Sequence, residues 1–281
     1  MLIKLTNKCF ENCSHCMECS NENGEHMSWS VLEDVVSFVN SNKVSVLVLS
    51  GGELTTDPEF YEKVLYISKK CPESAMSLQS NGSFIFDSTK TKKMSELLSL
   101  NNILFTQIST HKKYYPNYEK IMNMKSEFEK LGSKVMFVSD WQGNMTNIHR
   151  LGRAVNLTDE EFKGSPGCSP ILCRSNQVEK LFNGSIPTLS EFIQFLSLSG
   201  YLCKPMINEY GKLFVGECQF CVKVGDINGF KSLSTLDKNN MNKNIMMNLV
   251  NAKMCNKCNE LGNLKGKVPD YVLKTGSFRI K

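Results

Sequence analysis

The stretch LIKLTNKCFENCSHC, residues 2–16, sets a short apolar run directly before Cys9, Cys13 and Cys16, spaced C-x3-C-x2-C. The apolar run reads as a β-strand, which puts the three thiols on the loop that leaves its end. The chain has 281 residues and 12 cysteines, and residues 1–5 are too short for a signal peptide. No apolar run reaches the ~18 residues that a membrane helix needs. A cytoplasmic protein is therefore expected, and clustered thiols in a reducing compartment read as metal ligands or catalysts rather than disulfides. Three thiolates are one short of filling a four-iron cluster and leave one iron open to a small molecule. Zinc held by the three cysteines and His15 is the alternative.

Outward from this loop, β-rich runs alternate with helix-length segments, the pattern of β/α units around a parallel sheet. Strands are expected at Leu2–Leu5, Val44–Leu49, Ala75–Gln79, Ile103–Ser109 and Lys134–Val138. Helical periodicity covers Ser30–Asn40, Asp57–Lys70, Thr89–Leu100 and Tyr118–Leu131. Ser30-Val31-Leu32-Glu33 reads as a capping box, and Gly132 as the C-terminal stop of the last helix. Polar turns follow the apolar runs at Thr6-Asn7, Ser50-Gly51-Gly52-Glu53 and Ser80-Asn81-Gly82. In parallel β/α folds such turns converge on one rim, where ligands bind. The formal charge of +5 is scattered over the chain without a basic run, so no nucleic-acid partner is expected.

After about Val155 the composition shifts to Gly, Pro, Ser and Cys. Residues 1–155 are expected to form the first domain, 156–200 a bridge with one helix at Thr188–Leu198, and 201–281 a small cysteine-rich unit and tail. Tyr201–Val215 and Val222–Phe230 suggest a hairpin around the turn Asn208-Glu209-Tyr210-Gly211.

The cysteine triplet at this spacing, after a first strand, resembles that of the radical S-adenosylmethionine (radical SAM) enzymes. Gly51-Gly52-Glu53 is similar to the family's GGE turn, which holds the methionyl amine of SAM. Asn81-Gly82 matches a frequent third-strand turn, Ser109 sits where a polar residue touches ribose or carboxylate, and Gly152-Arg153-Ala154 looks like the segment that closes the SAM site. The position before the last cysteine, usually an aromatic residue beside the adenine, is His15 here. The resemblance implies an α/β fold built on a partial β/α barrel, abbreviated if the five strands before Gly152 are all it has, since most members have six. It also implies a [4Fe-4S] cluster with one open iron, SAM chelated there, and reductive cleavage to a 5'-deoxyadenosyl radical that abstracts hydrogen from a substrate. Cys19 is read as a bystander and Cys71 as structural.

Residues 203–227, CKPMINEYGKLFVGECQFCVKVGDI, resemble the opening of the SPASM or twitch extension of this family, closed by Cys255-Asn256-Lys257-Cys258. That likeness implies one auxiliary [4Fe-4S] cluster on Cys203, Cys218, Cys255 and Cys258, with structural zinc as the alternative. The central cysteine string of the full SPASM pattern is missing, which favours the one-cluster twitch form. Cys221 is left as an alternative ligand, a hydrogen-atom donor or a spare thiol, and Cys168 and Cys173 with Cys221 as ligands of a further cluster. Three functions stay open: a maturase acting on a peptide or protein side chain, a small-molecule dehydrogenase or related natural-product enzyme, and a non-enzymatic zinc module. The opening of the chain on its first strand is not what is expected of maturases with a leader-binding winged helix. An electron donor such as flavodoxin or ferredoxin is the expected partner. Lys4, Glu53, His111 and Asp140 are candidates for an acid or base facing the barrel.

Overall fold

The structure is a computed structural model that describes residues 1–16, 18–138, 152–158, 182, 184–198, 205–214 and 223–251. Five β/α-type strands come first: β1 (Leu2–Thr6), β2 (Val46–Gly51), β3 (Ala75–Ser80), β4 (Ile103–Ser109) and β5 (Val135–Val138). Between them run α1 (Trp29–Ser41), α2 (Phe60–Lys70), α3 (Ser88–Leu98), and the short α4 (Tyr118–Asn123) and α5 (Lys125–Lys130). Then follow α6 (Leu189–Leu198), β6 (Met206–Ile207), β7 (Lys212–Phe214), β8 (Lys223–Asp226) and α7 (Thr235–Asn251).

The eight strands among the described residues join one open α/β sheet in the order β5-β4-β3-β2-β1-β6-β7-β8, an unclosed barrel. The first five are parallel neighbours. On the other edge β6 runs parallel to β1, with Leu2 opposite Met206 and Ile3 opposite Ile207. β7 and β8 then continue antiparallel. The next described strand after β5 therefore lies against β1 and not against β5, so the hairpin around Asn208–Gly211 extends the same sheet.

The two faces follow from the pleat. Ile3 pairs with Leu49 and Leu49 with Leu78, all fully buried, in one core with Leu32, Val35 and Phe38 of α1, Val64 and Ile67 of α2, and Met94 and Leu97 of α3. The next row, on the opposite face, pairs Lys4 with Ser50 and Gln79 with Gln107, and Gln79 donates to Gln107 at 3.2 Å. One side of the sheet is thus a sealed apolar layer, and the other carries a polar row toward the cysteine loop.

Helix boundaries depart from expectation at three places, the first being α2, which begins at Phe60 and not at Asp57, because Asp57 closes a 3-10 turn at Leu54–Thr56. α1 is capped by Ser28, whose hydroxyl accepts from the Val31 amide, and not by Ser30. Met27 is bonded through its amide to Leu5 at 2.8 Å, which holds the chain extended up to Ser28 and lets the helix begin at Trp29. The periodic stretch Tyr118–Leu131 is two helices broken at Met124. Ile121 and Phe128, ~10 Å apart along one straight helix, both reach the same spot over Gly82. Gly132 takes up a positive φ of 96° directly after the Leu131 C-cap, as a helix stop should.

The C-terminal elements are bonded to the barrel through Asp34 of α1. Its buried carboxylate accepts from the amides of Gly229 and Lys231, each at 2.7 Å. Among the described residues no helix is long and apolar enough to cross a membrane. Asp34→Ala would leave both amides unpaired and should cost about 2–3 kcal/mol. Urea unfolding of wild type and variant measures it, and a change within 0.5 kcal/mol of zero would refute the anchoring role.

Candidate functional site

The loop after β1 is a closed excursion. It leaves through Lys8, whose residue bridges Asn21, and returns at His26, which bridges Thr6. Cys9 N–H donates to the Asn21 carbonyl at 2.9 Å and Asn7 N–H to Glu25 at 2.8 Å. Arg153, from a 3-10 turn at Gly152–Asn156, clamps it from outside. Its Nε donates to the Cys13 carbonyl at 2.9 Å, its guanidinium to Ser20 at 2.8 Å, and its amide to Cys16 at 2.9 Å.

Beside the loop, the Gly51-Gly52-Glu53 turn packs against the exit of β1. Gly52 N–H donates to Thr6 at 2.9 Å and Glu53 N–H to Lys8 at 2.8 Å. A Cβ on Gly51 would lie 2.3 Å from the Thr6 carbonyl oxygen, and one on Gly52 2.4 Å from that of Lys8. The glycines are therefore required by backbone approach. The Glu53 carboxylate, buried, accepts from the Thr55 amide (3.1 Å) and hydroxyl (2.7 Å), the Ser80 hydroxyl (2.9 Å) and the Asn81 amide (2.6 Å). It ties the end of β2 to the end of β3. Tyr115, which the sequence reading missed, donates its hydroxyl to the Asn81 carbonyl at 2.6 Å.

These parts enclose one cleft. Cys9, Cys13, Cys16, His15, Gly51, Gly52, Asn81, Ser109 and Arg153 all line it, as do His111 and, unforeseen, Glu11, Glu18 and Tyr115. Nothing in the sequence singled out the last three, because their relevance comes from loops folding back over the rim. Glu53 stands behind the wall as its brace. Cys19 is absent from the lining, and Cys71 is buried after α2. Asp140, Cys168, Cys173, Cys203, Cys218, Cys221, Cys255 and Cys258 lie outside the described residues.

Burial pushes the Cys9 thiol up to about 11 and that of Cys13 up to about 12, with neighbouring acidic groups adding to it. Left alone these thiols keep their protons, so a metal that takes them as thiolates must displace protons. Among the described residues no three His, Cys, Asp or Glu side chains converge as a single ion requires. Cys9, Cys13 and Cys16 open on one cleft, where an iron-sulfur cluster would take each thiolate on a different iron.

His15 packs at a tilt against two rings, 5.2 Å from Tyr114 and 5.1 Å from His111 between ring centroids. Its Nδ1 is buried without a hydrogen-bond partner among the described residues. Burial, reinforced by His111 and Arg153, lowers its pKa from 6.5 to about 4, so it is neutral in the folded protein near pH 7.

The radical SAM superfamily model matches residues 3–133. That stretch is a radical SAM domain, and the chain that carries it is an enzyme; such domains take AdoMet and a four-iron cluster. Two solved structures share the fold. BtrN in complex with AdoMet and 2-DOIA is 12% identical, over 91% of this chain and 87% of its own, with a TM-score of 0.53. Streptococcus suis SuiB bound to precursor peptide SuiA is 11% identical, over 76% of this chain and 58% of its own, with a TM-score of 0.50. No curated protein matches the chain.

His15 yields a pH prediction for the cofactor-free protein. The unfolded state takes up a proton as the pH falls through 6.5, whereas the folded state resists until about 4. The contribution of His15 is therefore whole above that window and declines by about 3 kcal/mol across it. His15→Phe should remove this slope. Equal slopes in wild type and variant, from urea melts across the window, would show that the ring is not held neutral.

Proposed function

We propose that the chain is a radical SAM enzyme in which Cys9, Cys13 and Cys16 hold a [4Fe-4S] cluster with one open iron, and that it abstracts hydrogen from a polar substrate. The observation that carries this reading is the convergence of the three thiols and three strand-end turns on one cleft. Held by Cys9, Cys13 and Cys16, such a cluster would bind AdoMet at its open iron and would supply, on one-electron reduction, a 5'-deoxyadenosyl radical. The protein's part is placement. Arg153 holds the cysteine loop by its carbonyls, the Gly51-Gly52 turn brings backbone to the methionyl end, and Asn81 and Ser109 offer polar groups along the rim. The neutral ring of His15, packed at a tilt against Tyr114 and His111, offers an aromatic surface for the adenine.

A peptide or protein side chain is the first substrate reading, supported by the twitch-like cysteine pattern and by SuiB, which binds precursor peptide SuiA. A small molecule is the second. It is favoured by the match with BtrN, which covers 87% of that chain, against 58% of SuiB. In either case Cys203, Cys218, Cys255 and Cys258 are the proposed ligands of one auxiliary cluster, with Cys221 as a hydrogen-atom donor beside it. A flavodoxin or ferredoxin would supply the electron, and a reducing cytoplasm would keep the ligand thiols from pairing.

Anaerobic reconstitution tests this. Iron and sulfide should reach about eight per chain, fall to about four in a Cys203→Ala, Cys218→Ala double variant, and vanish from the AdoMet site in Cys13→Ala. Under dithionite the wild type and the double variant should form 5'-deoxyadenosine, and Cys13→Ala should not. A wild type that binds iron but leaves AdoMet intact would end the radical reading.

A further inference from the structure

We propose that Glu209, with Lys4 and Glu18, forms the subsite that recognises the substrate, and that the group it takes is a protonated amine. This rests on the radical SAM reading for where the chemistry occurs, and adds what the substrate carries.

The placement comes from sheet topology. Because β6 runs parallel to β1, its carboxyl end lies at the rim from which the cysteine loop departs. The turn there is firmly built. Asn208 Oδ1 accepts from the amides of Tyr210 and Lys212, Gly211 has φ of 76°, and Asn228 Nδ2 donates to the Tyr210 carbonyl. Glu209 is held in it at 4% exposure, within electrostatic reach of the Lys4 ammonium. Lys4 is 2% exposed and belongs to the polar row of the sheet, and it donates to Glu18 Oε2 at 2.7 Å. Glu18 in turn lines the cleft with the three cysteines.

Glu209 Oε2 is buried and has no hydrogen-bond partner among the described residues. Native proteins seldom leave such an atom unpaired unless something else completes it. An ionised carboxylate only accepts hydrogen bonds, so the completing group is a donor. Two carboxylates face one ammonium here, and a positively charged donor would balance the set. Burial raises the pKa of Glu209, Lys4 opposes that, and Glu18 and Glu25 add to it; an incoming ammonium would favour the charged form again. Beside this subsite Ser50, Gln79 and Gln107 continue a hydrogen-bonding floor suited to a hydroxylated or amide-bearing body. An amino sugar or cyclitol offers this ammonium, and so does a lysine side chain in a peptide.

The test uses the full chain, reconstituted and saturated with AdoMet, and two matched pairs of probes in titration calorimetry. One pair is glucosamine and N-acetylglucosamine. The other is the tripeptide Gly-Lys-Gly and its Nε-acetyl form. At least one amine should bind about tenfold or more tightly than its acetylated twin, and the pair that discriminates identifies the source. Glu209→Gln, checked for folding by circular dichroism, should abolish that preference. Glu209→Asp, which keeps the charge but withdraws it, should reduce it, and serves if Glu209→Gln does not fold. Equal binding within both pairs, no amine binding, or a preference that survives in Glu209→Gln would overturn the proposal. Formation of 5'-deoxyadenosine by the wild type is scored separately, so failure of the radical reading is not confused with failure of the amine site.

Discussion

The carboxylate of Glu53 is the joint on which the site depends. Four donors from two strand ends converge on it, Thr55 by amide and hydroxyl, Ser80 by hydroxyl and Asn81 by amide. The same turn binds β1 through the Gly52 and Glu53 amides. Three adjacent strands are thereby held in register where their ends open into the cleft. A charge this deeply buried is tolerable only because every partner is supplied by fixed backbone and short side chains. Gly51 and Gly52 make that possible, since any Cβ there would overlap carbonyls of Thr6 and Lys8.

Arg153 plays the matching part on the other side of the cleft. Three hydrogen bonds from one residue hold Cys13, Cys16 and Ser20 by their carbonyls, so the cysteine loop is shaped by protein contacts as well as by any ligand. Desolvation of the thiols and of His15 gives the cleft little affinity for lone charges. That environment favours a group able to take thiolates directly, and it strengthens every electrostatic contact made within it. Ser50 and Gln79 of the polar row line the same cleft as the thiols, and Lys4 reaches it through Glu18.

The alternation of strands and helices was legible because each strand is a short apolar run and each of the first three helices shows one apolar stripe. All five expected strands before Gly152 appear within two residues at either end. The start of α1 was misread because Ser28 and Ser30 are equally good caps locally, and the bond between Met27 and Leu5, distant in sequence, chose between them. The break at Met124 was invisible for a similar reason. Nothing in the helical period reveals that Ile121 and Phe128 share one contact with Gly82.

The sequence by itself determined the chemistry on offer: three thiols at a strand exit, glycines where backbone must approach backbone, and polar residues at successive strand ends. These are local features, set by spacing along the chain and by the pleat of a strand. Only the tertiary structure decided which groups meet. It placed Glu53 behind the cleft as a brace, gave Arg153 to the cysteine loop, and laid β6 against β1 so that Glu209 stands beside Lys4. Those contacts join residues more than 25, 130 and 200 positions apart. No periodicity records them, because they depend on strand order and on the burial that only a folded sheet provides.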